Sequence, residues 1–185
     1  MGLPEKEQHY TYADYCAWND GERWELIDGV PYLMTAPSIT HQRILGELHR
    51  QLANFLDGKP CEVLVAPLDV RLNALGDNDE DVFQPDVLVV CDETKLDEKG
   101  LNGAPDIAIE ILSPSSARLD KAIKFNKYQR AGVREYWIVD STDKTITVFI
   151  LENGQYVAKC YTETDIIPVH VLEGCEISLP KVFPD

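Results

Sequence analysis

The chain of 185 residues contains no apolar run approaching the roughly 20 residues with which a helix crosses a bilayer, so a soluble protein is expected. Its opening, MGLPEKEQHY, has neither the basic n-region nor the apolar h-region of a secretory signal, so the expected compartment is the cytoplasm. The Met-Gly start lacks the hydroxyl residue that myristoylation wants at the sixth position, where Lys6 stands. Five cysteines (Cys16, Cys61, Cys91, Cys160 and Cys175) lie far apart, with no C-x-x-C pair and no adjacent histidine ligands. A structural zinc site is therefore not expected, and the cysteines read as reduced, mostly buried small hydrophobes. Basic excess is missing too. Against 17 Lys and Arg stand 32 Asp and Glu, a net charge of −15 that repels nucleic acid at long range and argues against a general DNA-coating protein. A small cleft whose carboxylates hold cations remains compatible with that charge. Repeats, low-complexity tracts and linkers are absent, so one domain over 1–185 is expected. Within it, an N-terminal helix and hairpin occupy 10–35 and a short packed tail 163–185.

What is present reads as alternating helices and strands. Thr11 caps a short helix over Tyr12–Trp18. Asp28-Gly29 between two β-prone runs marks a hairpin from Arg23 to Met34 and puts Glu25 on its first strand. Ser38 caps an amphipathic helix carrying Ile44, Leu45, Leu48, Leu52 and Phe55, closed by Gly58. The runs 61–66, 68–72, 87–91 and 107–112 predict strands, and a second long helix starts at Ser113-Pro114-Ser115-Ser116 and stops at Gly132. Strands follow over 135–139, 145–151 and 155–160, giving a mixed sheet flanked by helices. The acidic stretch 76–81 lacks the ligand alternation and closing glutamate of an EF-hand and reads as a solvated loop, and the connection 92–103 reads as exposed.

Two acids stand out. Asp86 leads into the apolar run Val87-Leu88-Val89-Val90, and Glu110 sits inside Ile107-Ala108-Ile109-Glu110-Ile111, where an unpaired carboxylate would cost several kcal/mol. A cation held by both acids or a Lys or Arg partner for Glu110 resolves that cost, a one-sided sheet that turns Glu110 to solvent avoids it, and carboxylate oxygens suit Mg²⁺ or Mn²⁺. Lys124 fits a surface pair with Asp120 at i, i+4, worth about 0.3–0.5 kcal/mol, or a helix stripe facing the sheet edge together with Tyr128. His41 starts the first long helix, either as a surface residue or near an anion site.

These residues together resemble the Uma family of restriction endonucleases, a branch of the PD-(D/E)XK nuclease superfamily. Carrying the resemblance are Trp24-Glu25-Leu26-Ile27-Asp28-Gly29, His41 after Ser38, Gln84-Pro85-Asp86, and Glu110-Ile111-Leu112-Ser113-Pro114-Ser115-Ser116. The Asp120, Lys124 and Tyr128 spacing and Gly132-Val133-Arg134-Glu135-Tyr136-Trp137-Ile138-Val139-Asp140 complete it. The resemblance implies an α/β restriction-endonuclease-like fold with a central mixed β-sheet flanked by helices. It implies a metal-dependent endonuclease acting on nucleic acid, DNA being expected, as a homodimer. Asp86 and Glu110 would hold Mg²⁺ or Mn²⁺, with Lys124, Glu25 and His41 completing the catalytic set. The superfamily lysine two residues after the glutamate is replaced here by Leu112, so Lys124 on the next helix takes its place, with Lys121 and Lys127 as alternatives.

Overall fold

The computed structural model describes residues 8–113 and 119–183. Helix α1 (Tyr12–Cys16) is held by a reciprocal capping box between Thr11 and Asp14. Strands β1 (Trp24–Ile27) and β2 (Val30–Leu33) form the expected hairpin. Asp28 and Gly29 supply its turn with φ of 51° and 71°, the left-handed pair that a two-residue connection requires. Helix α2 (Ile39–Leu56) starts at Ser38, whose hydroxyl accepts from the His41 amide. There follow β3 (Glu62–Val65), β4 (Val70–Arg71), β5 (Val82–Phe83), β6 (Val87–Val90), β7 (Leu96–Asp97), β8 (Gly100–Asn102) and β9 (Ile107–Ile111).

The second helical segment opens as a wide π-type turn over Leu119–Lys124 and continues as α3 (Phe125–Ala131), ended by Gly132 at φ 83°. The helix start expected at Pro114-Ser115-Ser116 lies outside the described residues, as do the side chains of Asp120 and Lys121. Beyond come β10 (Glu135–Asp140), β11 (Thr145–Glu152), β12 (Gln155–Thr162), β13 (Ile166–Pro168), β14 (Glu176–Ser178) and α4 (Leu179–Val182).

The sequence predicts one mixed sheet; the structure has two mixed six-stranded sheets and a two-stranded ribbon. The main sheet has the order β12-β11-β10-β9-β6-β3, with β9 and β10 parallel and the other neighbours antiparallel. The second has the order β2-β1-β5-β4-β8-β7. Besides the expected hairpin and the run 68–72, it draws in segments assigned to connections, because β5, β7 and β8 carry only two or three residues each, too few for a periodic signal. The connection 92–103 is accordingly not simply exposed: β7 and β8 pair, and Leu101 is buried. Gly100 makes this possible, since a Cβ there would lie 2.3 Å from the Asp69 carbonyl oxygen. Nor is 76–81 merely a solvated loop. Asp79 is buried and accepts from the Asn73 and Asp81 amides, which ties the loop to itself.

Strand alternation sorts the main sheet into two faces. Val87, Val89, Ile107, Ile109, Ile111, Trp137 and Val139 pack under Ile44, Leu48, Leu52 and Leu56 of α2 and under Ile167, Ile177, Leu179 and Phe183 of the C-terminal segment. Leu88, Val90, Ala108, Tyr136 and Ile138 face Tyr128 of α3 and Ile27, Val70, Phe83 and Leu101 of the second sheet. Burying each large aliphatic side chain contributes about 1.5–3 kcal/mol. Glu110 shares the second face with Ala108, so its carboxylate emerges where α3 and the second sheet meet the first.

One cysteine expectation is corrected. Cys61 and Cys91, directly before β3 and directly after β6, form a disulfide. The β3–β6 register pairs Glu62 with Val90, and one further step sets the two cysteines opposite each other. Linear spacing did not reveal that pairing. Cys16 and Cys160 are exposed free thiols, and Cys175 is buried.

Candidate active site

A cleft of ≈ 390 Å³ opens beside this junction, with Glu25, His41, Asp86, Glu110 and Lys124 all on its wall. The strand register explains the convergence. Val87 pairs with Ile109 and Leu88 with Ala108, so one step further sets Asp86 across from Glu110. Asp86 Oδ2 accepts from the Ile111 amide at 2.7 Å and lies 3.2 Å from His41 Nε2. The first bond closes the end of the β6–β9 ladder; the second joins that ladder to the first turn of α2. His41 is thus no detached surface residue, and its Nδ1 is buried without a hydrogen-bond partner among the described residues.

Glu110 has the cationic partner that its burial demands. Its Oε1 accepts from Lys124 Nζ at 3.0 Å and from the Tyr128 hydroxyl at 2.8 Å. Lys124 also donates to Glu25 Oε1 at 2.9 Å, and the Gln84 amide reaches the same oxygen at 2.8 Å. Glu25, Lys124 and Glu110 are 5%, 3% and 4% exposed, so this is an interior ion triad and not the surface pair considered from sequence. It links the two sheets, because Glu25 lies on β1 and Glu110 on β9. Lys124 ends the wide turn, and one helical turn later Tyr128 reaches the same oxygen of Glu110. The four-residue spacing therefore builds one face of the site. Burial pushes the Tyr128 hydroxyl well above its ordinary range, and the Glu110 carboxylate reinforces the shift; Tyr128 acts here as a neutral donor.

Of the alternative lysines, Lys127 turns away: its ammonium joins Asp28 and lies 2.9 Å from Asp81 Oδ2. Lys121 falls among the side chains outside the described set. Residues that the sequence reading gave no role include Gln84, whose amide fixes Glu25, and Arg23, which lines the cleft. Gln84 had a usable signal, a polar residue between the apolar pair Val82-Phe83 and Pro85 that ends up buried.

Asp86 and Glu110 offer carboxylate oxygens, the donor type that a hard divalent cation takes. Asp86 Oδ1 makes no hydrogen bond among the described residues, and its side chain keeps 17% exposure toward the cleft, opposite Glu110. No three Asp, Glu, His or Cys side chains converge into a complete ligand shell among the described residues. Such an ion would therefore draw on main-chain carbonyls, water and substrate oxygen as well, as Mg²⁺ commonly does.

Two mixed sheets with helices at their faces, and one acid from each sheet meeting a lysine where the sheets join, define a restriction-endonuclease-like α/β protein. The family model described as "Putative restriction endonuclease", Uma2, matches residues 10–180, and the chain belongs to that family. Two uncharacterized proteins of Synechocystis are similar to it. The protein slr1290 is 28% identical over 156 residues, spanning 82% of this chain and 80% of that protein. The protein sll1609 is 30% identical over 122 residues, spanning 64% and 67%. Among solved structures, a "putative nuclease belonging to DUF820" from Anabaena variabilis superposes with a TM-score of 0.73. It covers 94% of this chain and 97% of its own at 18% identity, a likeness of fold. Among the described residues no helix is long and apolar enough to cross a membrane.

Proposed function

We propose that the protein hydrolyses phosphodiester bonds of nucleic acid, with DNA as substrate and Mg²⁺ or Mn²⁺ as cofactor. The observation that carries this reading is the convergence of Asp86, Glu110, Lys124 and Glu25, from two sheets and a helix, on the wall of one cleft. Asp86 and Glu110 would hold the ion. When bound, it supplies Lewis-acid polarisation and an activated water. Lys124 places an ammonium shared by Glu25 and Glu110 on the cleft wall, from which it would donate toward the phosphate being cut as negative charge builds there. Glu25 and Tyr128 fix that ammonium and the Glu110 carboxylate, so little reorganisation is needed during reaction. His41 and the Ile111 amide hold one oxygen of Asp86 and leave the other toward the cleft. In this reading the protein works in the cytoplasm as a homodimer that offers one cleft to each strand of a duplex.

A second reading, a catalytically inactive nuclease-fold module that binds nucleic acid or protein, is favoured by one observation. Lys124 is already engaged by two carboxylates, and Leu112 occupies the place of the motif lysine. Incubating purified protein with plasmid and oligonucleotides in Mg²⁺ or Mn²⁺, beside Glu110→Ala and Lys124→Ala, separates the two. Cleavage by wild type alone supports the nuclease. Equal cleavage by all three defeats the site assignment, and binding without cleavage under any metal condition selects the module.

A further inference from the structure

The described lining of the cleft includes two long cations, Arg23 and Lys124, and their partners differ in kind. Lys124 meets two carboxylates. Arg23 directs Nε and Nη2 at one neutral acceptor, Gln84 Oε1, at 3.2 and 2.7 Å. Among the described residues it forms no ion pair. Its charge is thus held in place without being cancelled.

Gln84 is itself locked. Its Nε2 donates to Asp69 Oδ1 at 2.9 Å and to the Tyr15 hydroxyl at 3.1 Å, and the side chain is buried. A carboxylate on one side and a guanidinium on the other allow only one orientation of the amide, with its oxygen toward Arg23. The same residue's main-chain amide anchors Glu25, so one residue positions both Arg23 and the acid that holds Lys124. Arg23 stands two residues before Glu25 on a hairpin ladder that the bond from the Met34 amide to the Arg23 carbonyl extends, which puts both on one side of the strand. A guanidinium has five N–H donors, and two are spent on Gln84. The rest retain the planar fork that suits a phosphate.

We propose that Arg23 is a phosphate-binding residue that takes non-bridging oxygens of a backbone phosphate beside the one being cut, with Gln84 as its positioning residue. This rests on the nucleic-acid reading of the cleft and adds to it how an acidic protein grips its substrate: one uncancelled guanidinium at the point of contact works against the net −15.

The test measures binding of a fluorescein-labelled 20-base-pair duplex by anisotropy across a salt series in Ca²⁺, together with cleavage kinetics in Mg²⁺ and Mn²⁺. Wild type, Arg23→Ala and Arg23→Lys are compared, with thermal melts confirming that each folds. Arg23→Ala weakens binding about ten-fold or more, the loss of a charge-assisted hydrogen bond, and flattens the salt dependence by about one phosphate contact. Arg23→Lys keeps the salt slope and recovers part of the affinity. In kinetics the loss falls mainly on KM. A structural role alone would leave the salt slope unchanged. Affinity, slope and KM all equal to wild type in Arg23→Ala overturn the proposal, as does a wild type that binds no duplex. Should no protein cleave while Arg23→Ala alone loses binding, the nuclease reading falls and the Arg23 assignment stands.

Discussion

Replacing Lys124 by Met removes the cation between Glu25 and Glu110 while keeping much of its volume. Both carboxylates are then left buried, each within 3.0 Å of where Nζ had been. Removing one partner of a buried ion pair costs about 3–5 kcal/mol. The fold has one escape, which is to take up a proton on one of the two acids. For a carboxyl group of solution pKa ~4.3, at ~1.36 kcal/mol per pH unit, neutralisation costs about 3.7 kcal/mol at pH 7 and about 1 kcal/mol at pH 5. The sign follows: a carboxylate whose folded pKa is raised by losing its counter-ion destabilises little near its unfolded value and progressively more as pH rises. Urea unfolding of wild type and Lys124→Met at pH 5, 6 and 7 should therefore give a difference of about 1 kcal/mol that grows to about 3–4 kcal/mol. Adding Glu25→Gln should return much of the loss at pH 7. A destabilisation equal at pH 5 and pH 7, or one that Glu25→Gln deepens, refutes the interior-triad account.

Three further outcomes follow from other parts of the fold. Glu135 is buried, and desolvation raises its pKa even though the Val171 amide and the Trp137 indole both donate to it. Its favourable contribution is complete below the unfolded pKa of ~4.3 and is lost as pH rises through the folded value, so thermal melts should show wild type losing ground to Glu135→Gln as pH rises from 4 toward 7; parallel curves would reject this. Thiol titration of denatured, non-reduced protein should find three of five cysteines, and reduction of Cys61–Cys91, 30 residues apart, should lower stability by up to about 3–4 kcal/mol in urea. Asp86→Asn keeps an acceptor for the Ile111 amide but loses the charge, so calorimetric Mn²⁺ binding should vanish while the melting temperature moves little; undiminished Mn²⁺ binding would show that Asp86 is not a ligand.

The long elements were readable because each repeats its signal. Helix α2 writes Ile44, Leu48, Leu52 and Leu56 along one face, and the Asp28-Gly29 turn needs two left-handed residues in a row. The second sheet was readable only in its hairpin and in the run 68–72; strands as short as Val82–Phe83 and Leu96–Asp97 carry no period and owe their place to tertiary pairing. The same limit hid the Cys61–Cys91 bridge, which depends on the β3–β6 register and not on spacing along the chain. Asp79 and Asp81 look like solvated acids in a string of acids; the first is buried because it gathers the amides of its own loop, the second because Lys127 crosses from α3 to meet it.

For the candidate site, the residues singled out in sequence line one cleft, but how they are joined was not legible there. The anomaly at Glu110 followed from one carboxylate in an apolar strand, and of the resolutions open to it the structure shows a lysine partner, Lys124. A lysine at position 112 would share the Glu110 side of β9, two residues along, and would approach from within the same sheet. Lys124 arrives from the turn leading into α3, above that face, and from there its ammonium reaches Glu110 on the main sheet and Glu25 on the second. Moving the charge to the helix makes the second sheet part of the site, and it gives Gln84 its importance, since the amide that fixes Glu25 belongs to the residue whose side chain holds Arg23. A side-chain change at Gln84 should therefore release Arg23 while the main-chain bond to Glu25, and with it the hold on Lys124, stays in place.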